Sequence, residues 1–160
     1  MSLHRRAVRV RLRGGRSLHG RIHVAEGQSL GGFLSARKFF LNLTEVQWED
    51  EQEQDVLPHL SVRMGQIIWV EPLEAVLHLS SAELPSNEKR KIELHLDGGD
   101  LLHVQLNLAS ETRMSDYLDA NPLFISLFDV HALREGRTIK RVALNHGAIL
   151  AIRELDEPGS

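Results

Sequence analysis

The residues with the clearest chemical potential are the arginines near the start of the chain. Seven of them fall within the first 21 residues, namely Arg5, Arg6, Arg9, Arg11, Arg13, Arg16 and Arg21. Arg9, Arg11 and Arg13 alternate with apolar residues, so a β-strand would place them on one face about 6.7 Å apart. Because guanidinium groups bind phosphate oxygens in a bidentate manner, this row predicts contacts to the backbone of a nucleic acid.

Two other roles explain the same arginine row. Charged side chains line solvated outer faces and keep edge strands from aggregating. The acidic segment at residues 49–55 also offers carboxylates that neutralise the arginines within the protein. The sequence leaves these alternatives open, although the matching residues later in the chain, Glu93, His95 and Asp97, weaken the nucleic-acid interpretation.

Trp48 is the aromatic residue that best fits an exposed anchor for a protein partner. It stands beside the acidic segment and has no aromatic counterpart later in the chain. The other aromatic residues mostly occupy positions that recur along the sequence, which packing in a core explains. The alternative for Trp48 is that it covers the core of its own unit.

The sequence predicts neither a metal site nor a catalytic site. The chain has nine histidines and no cysteine, and His19 and His23 would lie about 13 Å apart on one strand face, too far to share a zinc ion. Gly14-Gly15 is not followed by the Lys-Ser/Thr of a phosphate-binding loop, and no Gly-x-Ser-x-Gly motif is present. We therefore expect no enzymatic activity, no cofactor and no metal.

The composition is that of a folded globular protein. Of 160 residues, 42% are hydrophobic and 26% are charged, and the formal net charge of −3 differs from that of a polycation that coats nucleic acid. The start of the chain lacks the apolar core of a signal peptide, and no run of about 18 apolar residues is present. The absence of cysteine suits a reducing compartment. We therefore expect a cytoplasmic protein that makes no membrane contact.

The strongest pattern in the sequence is a self-similarity at an offset of 84 residues. It pairs glycine, histidine and apolar positions, including Gly14 with Gly98, Gly15 with Gly99, Leu18 with Leu102, His19 with His103 and Phe40 with Phe124. After loops of different length the match resumes, with Val62 on Val142 and Val70 on Ile152. This pattern predicts an internal duplication, with a first unit at residues 1–79, a polar linker at residues 80–90 and a second unit at residues 91–160.

Each unit has the pattern of a small β-structure. Alternating apolar residues at 8–12 and 18–24 predict two strands joined by a Gly-Gly hairpin, in which glycine supplies positive φ angles. Next comes a short helix, with Ser115 as its capping residue in the second unit and a counterpart at residues 29–36 in the first. Three further strands complete each unit. The predicted fold class is mainly β, as two tandem small five-stranded barrels, each with a short helix between strands two and three.

A family resemblance accompanies this pattern. Residues 8–22, with the segment Gly15-Arg16-Ser17-Leu18-His19-Gly20, are similar to the first hairpin of the Sm-like (LSm) proteins, and residues 62–70 resemble their closing strand pair. The resemblance implies a Sm-like or SH3-like small barrel, in a family whose members often assemble into rings and bind RNA. Where the family carries an Asp and an Asn that read RNA, residues 25–28 are Ala-Glu-Gly-Gln, so no RNA-binding residue is carried over.

These observations predict a non-catalytic protein-interaction or regulatory module whose partner is another protein. One alternative is Sm-like RNA binding through the basic first strand, and another is small-molecule binding at the interface between the two units. A homo-oligomer is also compatible with the sequence. The residues expected to carry binding are Arg9, Arg11, Arg13 and Trp48.

Overall fold

The computed structural model describes residues 3–50, 55–79, 88–108 and 112–155. Within these residues the chain is mainly β. The strands are β1 (Leu3–Leu12), β2 (Ser17–Ala25), β3 (Phe40–Trp48), β4 (Leu57–Arg63), β5 (Ile67–Pro72), β6 (Glu88–Leu96), β7 (Leu101–Leu108), β8 (Phe124–Ala132), β9 (Arg137–Asn145) and β10 (Ile149–Glu154). Two α-helices are present, α1 (Leu30–Ser35) and α2 (Met114–Asp119), and 3-10 turns at Met64–Gln66 and His146–Ala148 precede β5 and β10.

The described strands form one open antiparallel sheet in the order β10-β6-β7-β8-β9-β5-β1-β2-β3-β4. The first half, residues 3–79, contributes β1 to β5, and the second half, residues 88–155, contributes β6 to β10. Strand β5 of the first half pairs with β9 of the second, with Trp69 opposite Leu144 and Val70 opposite Ala143. We call this contact the junction. Strands β4 and β10 are the two outer edges of the sheet.

The hairpins that begin each half form as the glycine pairs predict. Gly14 and Gly15 have φ angles of 92° and 86°, and Gly98 and Gly99 have φ angles of 91° and 92°. A side chain rarely tolerates such angles, so glycine lets strands β1 and β6 turn back tightly.

The short helices also lie where they were predicted, between the second and third strands of each half. The side chain of Ser29 caps α1 by accepting a hydrogen bond from the amide of Gly32. In α2 the N-cap position is Arg113, which makes no side-chain capping bond. The prediction that Ser115 caps this helix is therefore wrong, because Ser115 already lies in the first helical turn.

Pairing within the sheet corrects one detail of the predicted repeat. Leu41 pairs with Val62, and Ile125, which is 84 residues after Leu41, pairs with Leu144. Val62 therefore occupies the place of Leu144, so the alignment of Val62 with Val142 is out of register by two residues. The cause is the connection before β9, which is two residues shorter than the one before β4.

Each half has its own hydrophobic core, and each core takes residues from the other half. Ile68 and Trp69 of β5 belong to the core of the second half, and Phe124 and Ala143 belong to the core of the first. Strand β6 begins at Glu88, inside the predicted linker of residues 80–90, and residues 80–87 lie outside the described part. No described helix has the length and apolar character to cross a membrane.

The segment after β5 packs against the start of α1. Leu77 and Leu79 are buried in the first core. The amides of Leu30 and Gly31 donate hydrogen bonds to the carbonyls of His78 and Leu79, at 2.7 and 2.8 Å. A Cβ atom at Gly31 would lie 2.8 Å from that same Leu79 carbonyl oxygen.

We expect Gly31→Ala to destabilise the protein by about 1–3 kcal/mol, because the added methyl would push a backbone carbonyl away. Helix propensity alone predicts the opposite sign, a gain of about 1 kcal/mol. Chemical denaturation of the variant measures the difference. Gly65→Ala is the control, since no atom lies within 4 Å of its Cβ position. A Gly31→Ala variant as stable as wild type would show that this packing is loose.

Candidate functional site

The arginine row lies at the junction between the two halves. Strand β1 pairs with β2 on one side and β5 on the other, so it is an inner strand of the sheet. The side chains of Arg9 and Arg11 are only 11% exposed. Buried guanidinium groups require partners, and the principal carboxylate partners of the row come from the second half.

Arg11 makes the most buried of these ion pairs. Its Nε lies 3.0 Å from Oδ2 of Asp100, and its Nη2 lies 3.1 Å from Oδ1, which is a bidentate arrangement. The Asp100 side chain is 3% exposed. Arg11 also donates to the carbonyl of Gly15 at 2.8 Å, and its guanidinium lies 5.8 Å from the centre of the Trp69 ring.

Arg9 holds carboxylates from both halves. It donates to Glu49 at 2.5 and 3.1 Å and to Glu135 at 2.7 Å. Burial disfavours the charged form of Arg9, but the bonds to Glu49 and Glu135 outweigh burial and raise its pKa. Burial likewise opposes ionisation of Glu135, and the bonds from Arg9 and Arg137 nevertheless lower its pKa. Glu49 confirms that the acidic segment neutralises part of the row, and Glu135 adds a partner that the sequence did not indicate.

Further polar contacts extend the junction along its length. Arg13 pairs with Asp97 and donates to the carbonyl of Gly65 at 2.7 Å. In the reverse direction, Arg137 of the second half binds both carboxylate oxygens of Glu71, at 3.1 and 2.6 Å. Asn145 and Arg141 donate to backbone carbonyls of the first half. The row thus faces carboxylates and not solvent, and a phosphate would have to displace them.

Trp48 lies at the end of β3, half-buried against the core of the first half. The guanidinium of Arg16 stacks 3.8 Å from the centre of its ring, and Arg16 also binds Asp50 at 2.8 and 3.1 Å. This placement matches the alternative in which Trp48 covers its own unit, with Arg16 screening its outer face.

A different cluster occupies the matching place in the second half. Glu93 aligns with Arg9, and its carboxylate accepts hydrogen bonds from His95 at 2.7 Å, His103 at 2.8 Å and Arg153 at 3.1 Å. The bond from His103, assisted by those from Arg153 and His95, lowers the pKa of Glu93 to about 2. Among the described residues, no three histidine or acidic side chains are placed to hold a metal ion.

The outer edges of the sheet expose apolar side chains that the junction covers at matching positions. Ile68 on β5 is fully buried, whereas Leu150, its counterpart on β10, is 69% exposed. Phe124 on β8 is 5% exposed, whereas Phe40 on β3, beside the β4 edge, is 43% exposed. The free edges therefore present surfaces of the kind that the protein itself pairs and buries once.

Two cavities lie in the second half. One of about 630 Å³ runs beside β10 and the start of α2, lined by Arg90, Met114, Leu150 and Ile152 among others. The other, of about 560 Å³, separates β7 from β8 and is lined by residues that include His103, Gln105 and Phe128. All lining residues of both cavities belong to the second half, so neither cavity lies at the interface where the small-molecule alternative places its ligand.

We expect Asp100→Ala to lower the free energy of unfolding by about 3 kcal/mol, because it leaves a guanidinium buried without its carboxylate. Chemical denaturation provides the measurement. Asp50→Ala is the matched control, since Asp50 is also held bidentately by an arginine but is exposed, and exposed pairs contribute little. Equal losses in the two variants would contradict the importance of burial at the junction.

The lowered pKa of Glu93 predicts a pH-dependent contribution to stability. A carboxylate with a depressed pKa stabilises the folded state above its ordinary pKa and loses this effect as the pH falls through the folded value. Glu93→Gln should therefore be less stable than wild type at pH 7. The difference should shrink between pH 4.5 and about pH 2.

Denaturation midpoints of both proteins across this pH range test the prediction. Glu26→Gln is the control, because the exposed Glu26 makes no ion pair among the described contacts. A gap between Glu93→Gln and wild type that does not change with pH would contradict it.

No family model, curated protein or solved structure matches this chain. What the protein does therefore has to be argued from its own contacts. The arginine row is committed to the second half, and the surfaces of the junction type that remain uncovered are the two outer edges of the sheet.

Proposed function

We propose that this protein is a non-catalytic, cytoplasmic protein-interaction module that binds partners by strand addition at the free edges of its sheet. The observation that carries the proposal is the exposed β10 edge. Its counterpart β5 is fully covered by β9, and Leu150 on β10 exposes an apolar side chain where Ile68 on β5 is buried.

Strand addition fits the chemistry of this edge. An unpaired strand presents a row of backbone N–H and C=O groups, which bind an extended segment, and neighbouring pockets select its side chains. The cavity of about 630 Å³ beside β10 provides such a pocket. At the matching place in the first half, the protein fills the space next to α1 with its own residues 77–79.

We also propose that the two halves are duplicated small units of Sm-like type. The order of strands and helices is the same in both halves, and α1 and α2 begin 84 residues apart. Glu45 and Asp129, also 84 apart, share a φ angle of 52° that is uncommon outside glycine. Shared backbone irregularities of this kind support common origin better than shared strands do.

RNA binding through the first strand remains a second prediction with less support. Its three arginines are ion-paired and lie on an inner strand. Phosphate binding would also weaken steeply with salt, because each contact releases counterions.

We expect Leu150→Lys to abolish partner capture, since an inward-facing or edge lysine blocks strand addition. The full chain serves as bait in a nuclease-treated lysate of its source, and bound proteins are quantified. Leu133→Lys, at an exposed leucine away from both edges, is the control and should capture normally. Equal capture by both variants would contradict the edge as the docking site, and capture that requires RNA would favour the second prediction.

A further inference from the structure

We propose that the partner at the β10 edge is the β4 edge of a second copy of this chain, docked head to tail. This inference rests on the proposed interaction function and names its partner. The template is the junction itself, in which the protein has already joined an edge of the β10 type to an edge of the β4 type.

The pairing within each half defines which residues correspond. Arg9 pairs with Glu71 on β5, and Glu93 pairs with Arg153 on β10, so β5 and β10 correspond at an offset of 82 residues. The same offset relates Val62 on β4 to Leu144 on β9.

The junction register can then be transferred to two copies. Within one chain, Trp69 lies opposite Leu144 and Val70 opposite Ala143. Between copies, this places Ala151 opposite Val62 and Ile152 opposite Ser61.

The apolar surfaces at the two edges complement each other in the same way. At the junction, Ile68 enters the core of the second half and Phe124 enters the core of the first. Their counterparts are the exposed Leu150 and the exposed Phe40, which is covered only by the guanidinium of Arg63 at 4.7 Å from its ring centre. Docking of two copies would bury Leu150 of one and Phe40 of the other together.

Charges at the edges are exchanged in pairs, so that attraction is kept. At the junction Glu71 meets Arg137. The counterpart of Glu71 is Arg153 and the counterpart of Arg137 is Asp55, so both signs are reversed at once. A change on one side alone would have produced repulsion, and a coupled reversal is what a self-complementary contact requires.

Glu93 is the position where a mismatch would otherwise arise. It replaces Arg9, yet the acidic segment at residues 49–55 of the next copy would face it. The protein compensates by binding the Glu93 carboxylate to two histidines and Arg153. This face of β6 therefore presents cationic and neutral groups around a carboxylate that is already satisfied.

A head-to-tail contact of this kind uses different surfaces on its two sides, so it repeats until it closes or continues to grow. Every added copy covers one β10 edge and one β4 edge. The exposed apolar residues at both ends are thus accounted for by one contact.

Light scattering after size-exclusion chromatography tests self-association of the full chain. We expect a mass at a multiple of 18.1 kDa that falls to the monomer in both Leu150→Lys and Phe40→Lys. Leu133→Lys should assemble like wild type, and circular dichroism checks that all variants fold. A wild-type monomer at every concentration would overturn the inference, as would assembly that neither edge variant reduces.

Cysteine trapping tests the register, and the natural chain has no cysteine to interfere. The double variant Ser61→Cys with Ile152→Cys should form disulfides between chains under mild oxidation, because facing strand residues lie within disulfide range. Leu133→Cys with Ile152→Cys is the control and should remain largely monomeric. Equal trapping in both would contradict the proposed register.

The two proposals fail separately. A strictly monomeric protein that still captures another protein through Leu150 would overturn self-pairing and keep the interaction function. A monomer that captures nothing would overturn both.

Discussion

The structure depends on burying arginines of one half against carboxylates of the other. A buried charge is tolerated only when it is paired, and removing its partner costs far more than the pair contributes. Arg11 and Asp100 lie 89 residues apart, and Arg9 and Glu135 lie 126 apart. Neither half is therefore electrostatically complete alone, and the ten described strands form one sheet in place of two separate barrels.

This constraint explains the different charges of the two halves. On the proposed duplication, the face of β1 became an internal surface while the same face of β6 became an end of the molecule. An internal surface needs fixed partners, which Asp97, Asp100 and Glu135 provide. The end surface has no such partners within the chain, and Glu93 is satisfied locally by its neighbours. The scaffold kept its pattern while each face acquired charges that suit its position.

Local features of the fold could be predicted from the sequence, and long-range pairings could not. Glycine pairs and alternating residues are local signals, so the hairpins and the position of the helices were predicted correctly. The offset between halves changes from 84 to 82 within a variable loop, which no local pattern reveals, and Val62 was therefore misaligned. Ser115 has the right residue type for a cap, but packing of α2 starts the helix before it.

The candidate site shows the same limit. The row of Arg9, Arg11 and Arg13 was correctly placed on one strand face, because strand periodicity is local. Its partners lie on the Asp97–Asp100 turn and at Glu135, and only the strand order brings these to β1. A sign was nevertheless present in the sequence, since arginines in the first half matched acidic residues in the second.

The edges of the sheet follow from the same physics. A sheet built by joining like units always ends in one edge of each type, and adding units moves these edges without removing them. Proteins commonly blunt such edges with charge or cover them, whereas here Leu150 and Phe40 remain exposed beside them. Because the surfaces that end the sheet are of the types already joined at its centre, a contact between copies covers both edges at once. That contact would leave exposed ends only if the assembly does not close.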